Sequence, residues 1–555
     1  MLAQLRPAIG TFPKQKQLEF YLVATGCILF LGIVFRLFHY FYNRSLWTDE
    51  IYLSAGIVDM SFQELLSQPL PYMQKAPIGY LLLSHLFVVL FGNTELALRL
   101  CSLLTGIAAL FLFLPVARYF LKPFGALVAL ALLAFASPII HHSVEAKPYG
   151  VDLFTTVLVL WLYVRYQHET TVKKLVWWGL GGSIAVWLSY PSIFVLAGIA
   201  LATSIYQVLK GNWQVAFRLA IPFGMWLVSF VLSYLLFAKE GSDAGWLVYF
   251  FVKFDGYFPL QPVSGVTWLV RKAFAFFDYP LGLTWINNLG NHTNTGRFIE
   301  RMTIVPVVLA SLGTLYYFKQ NKRYLGLLAA ILGIAVVASS LKLYPFHERM
   351  TVYLAPLVAL LLAGGCDYLR NKTAFLKYVS YGLALLLLAG ALKNLLINTT
   401  TPYLLGGYKM SYYREALQYV NTKYRAGDAV YVYWNGVAGY KYYKAANALK
   451  FDGVIGKDHR HSVHSYPEFF AKVDADLKAL PNQKRAWVIY SLMDMNQGDY
   501  AGEPAWYYNG HDFREGYGAE RFVKHLAQAG RVIDTYVPAD GNKANDAHAH
   551  LLELK

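Results

Sequence analysis

The chain has 555 residues and a formal net charge of +16, is 56% hydrophobic and only 15% charged, and has a mean hydropathy of +0.37. Soluble domains are about one quarter charged, so this composition, with its long apolar runs, excludes a soluble cytoplasmic enzyme, a secreted disulfide scaffold and a disordered chain, and leaves a polytopic membrane protein. The basic residues fall mostly in short loops between apolar runs and form no basic stripe with interleaved aromatics, which excludes nucleic acid as a partner. Cys27, Cys101 and Cys366 all lie in apolar segments, so neither a disulfide framework nor a zinc-ribbon spacing is available.

A spanning helix needs about 20 mainly apolar residues. In chain order, candidates lie at 20–41, 97–117, 124–141, 149–166, 175–190, 192–209, 217–238, 303–319, 324–341, 350–369 and 377–397. The first follows Arg6, Lys14 and Lys16 and reads as a retained span, not a cleaved signal peptide. Pro191 divides the fifth from the sixth, because proline breaks the helical ladder and disfavours helix before it. A further apolar segment, 77–91, is short, carries His85 and ends at Gly92-Asn93. If it lies along the interface and the N-terminus is cytoplasmic, then Arg118 and Lys122, Arg165, Lys173 and Lys174, Lys210, Lys319, Lys322 and Arg323, and Arg370, Lys372 and Lys377 are all cytoplasmic, as the positive-inside rule requires. If it spans, every one of these clusters changes side.

The expected fold is therefore a polytopic α-helical membrane protein of about 11 spans plus interfacial helices. Its membrane domain covers 1–400, with outside loops 42–96, 142–148, 239–302 and 342–349. Region 401–555 then lies outside. It alternates a helix near 411–424, a strand at 429–434, a Tyr-rich helix, a short strand near 452–455, a helix near 467–479, a strand at 486–491 and late strands near 530–537 and 548–553. That alternation predicts a soluble α/β domain.

Ionisable residues at the mouth of a helix bundle point to function. Loop 42–96 begins Trp47-Thr48-Asp49-Glu50 and later carries Gln74-Lys75-Ala76-Pro77; loop 142–148 holds Glu145 and Lys147, with Tyr149 following; loop 342–349 ends His347-Glu348-Arg349. Carboxylates beside lysine and arginine suit the removal of a group from a phosphate. The carboxylate takes a proton from an attacking hydroxyl, and the cations stabilise charge growing on the departing phosphate oxygen.

The run WTDE after the first span, KAPIGYLLLSHLFVVLFG with ELALRL behind it, SVEAKPYGVDLF, and PFHERMTVYLAP resemble the GT-C membrane glycosyltransferases. The nearest groups are bacterial relatives of the protein O-mannosyltransferases and of the lipid A aminoarabinose transferase. The resemblance implies a sugar donor on a polyprenyl phosphate, of undecaprenyl type, used at the outer face of the cytoplasmic membrane, with a lipid, glycan or protein acceptor. It implies that Asp49 is the general base and Glu50 its acidic neighbour. Lys75 matches a lysine near the donor phosphate in the aminoarabinose transferases, and Arg349 sits where the late loop supplies a phosphate-binding cation. Lys147 stands where those transferases carry an aspartate, which leaves Glu145 as the nearby acid and assigns no lipid A acceptor. No metal ligands are assigned, and neither the residues nor the resemblance fixes a cofactor, a divalent metal included.

Plainer readings stand beside these. Asp49 and Glu50 suit a helix first turn capped by Thr48, Lys75 can anchor an interfacial helix by snorkelling, and Glu145 with Lys147 can form a structural ion pair. Asp474-Ala475-Asp476 has the spacing of nucleotide-sugar transferases but reads as the polar face of an amphipathic helix. His459, His461 and His464, or His548 and His550, lack the cysteine or acid pattern of a metal site. Aromatics such as Trp434, Tyr442, Tyr443, Trp506 and Tyr507 read mainly as core. Two rival functions share the layout: a flippase of lipid-linked sugars, and a non-catalytic subunit of a cell-envelope glycan assembly. Paired halves or broken midplane helices would favour the flippase, and the sequence displays neither.

Overall fold

The computed structural model describes residues 15–238, 245–285, 303–402, 405, 412–481, 484–491, 504–508, 517–538 and 547–554. Arg6 and Lys14, and the parts of loop 239–302 at 239–244 and 286–302, lie outside the described residues.

Apolar run length and composition dictate the first half of the fold. Helix α1 (Gln15–Tyr42) is followed by three short helices, α2 (Thr48–Asp59), α3 (Phe62–Ser67) and α4 (Ile78–Phe91). Then come α5 (Glu95–Phe120), α6 (Pro123–Phe135), α7 (Ser137–Ser143), α8 (Tyr149–Tyr166), α9 (Val172–Leu188), α10 (Ser192–Leu209) and α11 (Trp213–Ser233). Helices α12 (Gly245–Lys253) and α13 (Pro262–Asp278) precede α14 (Ile304–Gln320), α15 (Lys322–Ser340), a 3-10 turn (Glu348–Leu354), α16 (Ala355–Arg370) and α17 (Ala374–Thr400). Every predicted apolar stretch is helical. Among the described residues seven helices are long and apolar enough to cross a membrane, or eight when α6 and α7, bent by 57°, count as one span. The other three predicted spans fall on α8, α9 and α14, of 18, 17 and 17 residues. These sit at the lower end of the spanning range, and α8 carries Asp152 and Arg165.

Helix α4 has only 14 residues. At 1.5 Å per residue that is about 21 Å, short of a hydrocarbon core of roughly 30 Å. Its length fits the interfacial reading of 77–91.

The bend between α6 and α7 has a physical account. Asp367, buried on α16, accepts the backbone N–H groups of Lys122 (2.7 Å) and Gly125 (3.0 Å) at the start of α6. Arg36, buried on α1, donates to the carbonyls of Ala134 and Leu133, each at 3.1 Å, at its end. Other helices thus satisfy polar groups that each end of a short helix leaves open. The bend carries His141, His142 and the loop behind them to the site. Helix α16 is the central span, with 78% of its apolar window buried. It meets α14 backbone to backbone, since a Cβ on Gly313 would strike the Leu361 carbonyl and one on Gly365 the Leu309 carbonyl. Small residues permit such an approach.

The C-terminal region is the expected α/β module. Helix α18 (Tyr413–Lys423) leads to β1 (Ala429–Val432), α19 (Val437–Ala446), β2 (Val454–Ile455), α20 (Tyr466–Lys478) and β3 (Arg485–Ser491). Helices α21 (Ala505–Tyr508) and α22 (Tyr517–Ala529), then β4 (Gly530–Thr535) and β5 (Ala547–Leu554), complete it. The sheet order is β2-β1-β3-β5-β4. Strand β1 is parallel to β2 and β3, while β5 runs antiparallel to β3 and β4.

Candidate active site

Helix α2 begins the site. Trp47, not Thr48, occupies its cap position, and Glu50 reaches back so that the Trp47 backbone N–H donates to Oε2 at 3.3 Å. That is the reciprocal half of a capping box. The two acids then diverge, because successive helical residues point about 100° apart.

Glu50 is sealed. Arg99 of α5 donates to it twice, Nε to Oε1 at 3.0 Å and Nη2 to Oε2 at 2.9 Å, and the Ala146 backbone N–H donates to Oε1 at 2.8 Å. The side chains of this pair are 2% and 0% exposed. Asp49 faces the opening. Its Oδ2 meets Arg349 Nη2 at 2.9 Å, with side chains 10% and 19% exposed. The Arg349 guanidinium lies over the Trp47 ring at 5.4 Å and the Tyr149 ring at 5.7 Å.

Loop 142–148 closes the inner wall. Glu145 is fully buried and accepts from Trp47 Nε1 at 2.9 Å and from His142 Nδ1 at 2.6 Å, with His141 Nε2 at 3.5 Å. Burial alone would raise its pKa, but the flanking imidazoles hold it well below the usual carboxylate range. The other nitrogen of His142 is hydrogen-bonded to the Tyr279 hydroxyl. Lys147 is buried and donates from Nζ to Gln74 Oε1 at 2.7 Å. Burial pushes its pKa down; the charge of Asp49 opposes that shift and Arg349 adds to it.

The predicted residues are thus only partly gathered. Asp49, Arg349, Tyr149, Glu145 and Lys147 share one centre, and Glu50 lies behind it. Lys75 is exposed, and it is its neighbour Gln74 that reaches Lys147. His347 and Glu348 are half-buried, 3.8 Å apart, with the His347 ring beside Phe251 and Phe254. Arg99, His142 and Tyr279 also belong to the site, as do Trp47 and Gln74, to which the sequence gives a loop but no role. Arg99 could have been singled out, since an arginine inside the apolar run ELALRL is a functional signal in a span.

Among the described residues one group could hold a metal ion: His141, His142 and Glu145, whose ligand atoms lie within 4.8 Å of one another. In the structure these atoms are bonded to each other and to Trp47. The acids of the Asp474-Ala475-Asp476 run are engaged too: Asp474 with His525 at 2.7 Å, and Asp476 with His459 at 3.0 Å and the Tyr431 hydroxyl at 3.3 Å.

Residues 75–237, under half of the chain, match the family model described as Dolichyl-phosphate-mannose-protein mannosyltransferase. No curated protein matches the chain. Solved structures similar to it include ArnT from Cupriavidus metallidurans bound to undecaprenyl phosphate, at 14% identity and a TM-score of 0.49, covering 97% of this chain and 98% of that one. The Archaeoglobus fulgidus oligosaccharyltransferase in complex with Zn and sulfate is similar at 13% identity and a TM-score of 0.47, covering 93% and 72%. The archaeal oligosaccharyltransferase AglB from Archaeoglobus fulgidus, with an inhibitory peptide and a dolichol-phosphate, is similar at 12% identity and a TM-score of 0.46, covering 95% and 74%. The family match bears out the GT-C resemblance over its stretch and supports a membrane glycosyltransferase that uses a lipid-linked donor.

Proposed function

We propose that the chain transfers a sugar from a polyprenyl phosphate to a hydroxyl or phosphate acceptor at the outer face of the cytoplasmic membrane, with Asp49 as general base. The observation that carries this reading is the Asp49–Arg349 pair at 2.9 Å, an acid–guanidinium contact of the centre that is partly open to solvent. A second observation supports an anionic donor. Lys147 and Arg349 lie together beside Asp49, and two cations at one point suit the oxygens of a phosphate.

In this reading the donor phosphate displaces the Asp49 carboxylate from Arg349, whose planar fork suits phosphate oxygens, and Lys147 adds a second cation. Asp49, released, takes the proton of the acceptor hydroxyl as its oxygen bonds to the anomeric carbon. The bond from that carbon to the phosphate oxygen breaks, and polyprenyl phosphate departs with the bonding pair. Glu50 holds the first turn of α2 in place and does not touch the reactants. Lys75 approaches the donor from the exposed rim. The N-terminus is cytoplasmic and the C-terminal domain lies outside.

The test is release of polyprenyl phosphate by the detergent-purified protein, given a panel of polyprenyl-phosphate sugars and membrane-extract acceptors. Asp49→Asn abolishes acceptor-dependent release. Undiminished release by that variant would remove Asp49 from the role of base.

A further inference from the structure

The segment that delivers Asp49 has no secondary structure of its own. Residues 43–47 join α1 to α2, and Asn43 takes a left-handed φ of 50°. Two residues of the C-terminal region bond two of this segment's backbone groups and its Ser45 side chain. The Tyr443 hydroxyl accepts the Leu46 N–H at 2.7 Å, lies 3.0 Å from Ser45 Oγ and donates to Glu95 Oε1 at 2.5 Å. Arg414 donates from Nη2 to the Asn43 carbonyl at 2.7 Å and from its backbone N–H to Ser45 Oγ at 3.1 Å, and its guanidinium pairs with Glu95. From the membrane side, Arg99 donates to the Arg44 carbonyl at 2.6 Å while it clamps Glu50. Apolar packing follows the same route: Leu46, Ile51, Leu53 and Ile57 share a core with Tyr440, Tyr442 and Tyr443.

A domain that merely rode on the membrane part would not supply hydrogen bonds to the backbone three residues before Asp49. We propose that the C-terminal domain is a positioning element of the transfer site: Tyr443 and Arg414 fix residues 43–46 and thereby the Asp49 carboxylate. Tyr443 and Arg414 are positioning residues, and the catalytic half of the proposal rests on Asp49 being the base. Without the Tyr443 hydroxyl the buried Leu46 N–H loses its partner and Glu95 loses one of its donors, and a buried group left unsatisfied is costly. The loop then samples other conformations and Asp49 leaves its geometry, to which rate is steeply sensitive.

The experiment uses the full-length protein in detergent, with Tyr443→Phe, Arg414→Met and Arg414→Lys. Lys423→Ala, which removes contacts to Asp534 and Tyr419 inside the C-terminal domain, is the control. Hydrogen exchange of the peptide covering 43–53 is the first readout and needs no substrate. Tyr443→Phe speeds exchange at the Leu46 amide about tenfold, a loss of the order expected for one hydrogen bond; Arg414→Met speeds exchange across the 43–53 peptide, and the control does neither. In the transfer assay kcat falls about tenfold with donor KM within twofold, and Arg414→Lys recovers most of the rate. Native exchange in both variants overturns the proposal, as does a loss confined to acceptor KM. If no donor supports turnover by the native protein, the function proposed above fails, and exchange alone decides whether the domain holds the loop.

Discussion

Asp49 and Arg349 meet at 2.9 Å, joining loop 42–96 to loop 342–349 across a partly open face of a buried charge cluster. Aromatic rings of Trp47 and Tyr149 flank the guanidinium, so its place is set by shape as well as charge. Arg349→Ala is expected to raise the donor KM by about ten- to a hundredfold, the loss of one charge-assisted hydrogen bond at about 1.5–3 kcal/mol. Arg349→Lys restores little, because an ammonium neither forks onto a phosphate nor stacks on the rings. Donor titration of the two variants checks this; a lysine variant with native KM would mean that charge alone suffices.

The neighbouring acid behaves differently. Glu50 and Arg99 are sealed together, so removing one partner leaves a buried unpaired charge at a cost of about 3–5 kcal/mol. Glu50→Gln and Arg99→Met are therefore expected to lower the Tm substantially. Asp49→Asn, partly open to solvent, leaves it nearly unchanged while abolishing turnover. Thermal unfolding in detergent separates the two acids. Equal destabilisation by both would show that Asp49 too is a structural group.

Lys147 and Arg349 already bring positive charge to the centre, and the atoms of His141, His142 and Glu145 that could ligate a metal are engaged with one another. Incubation with EDTA is expected to leave turnover unaltered, whereas Lys147→Met reduces it at least tenfold. A loss on chelation that manganese or zinc restores would instead place a cation at the two histidines and Glu145.

How much of this was legible from sequence follows from how local each feature is. Apolar runs and strand alternation depend on residues close in the chain, so the apolar helices, the short α4 and all five strands are readable. The bend at α6–α7 is not, because the groups that cap it, Arg36 and Asp367, come from other helices. Four charged loop residues that converge, Asp49, Glu145, Lys147 and Arg349, were visible as loop charges. The division of labour between Asp49 and Glu50 depends on which way each faces, which adjacent positions cannot reveal. Tyr443 and Arg414 gave no signal, since a docking side chain in a distant domain resembles any core tyrosine or surface arginine.

The C-terminal sheet carries its own pH dependence. His550 on β5 lies between the Tyr490 hydroxyl, 2.9 Å from Nε2, and the Thr535 hydroxyl, 2.9 Å from Nδ1, with the His548 ring near Tyr490 as well. Burial, with a smaller contribution from His548, pushes its pKa down to about 4. The folded state thus binds a proton less readily than the unfolded chain, where histidine titrates near 6.5. The stabilisation is fully present above about pH 6.5 and is lost as pH falls toward 4, by up to about 3 kcal/mol. Full-length protein should therefore show a falling Tm for the C-terminal transition across that window. In His550→Gln, which keeps polar contacts but does not titrate, the slope should flatten. An unchanged slope in that variant would assign the acid sensitivity to other groups.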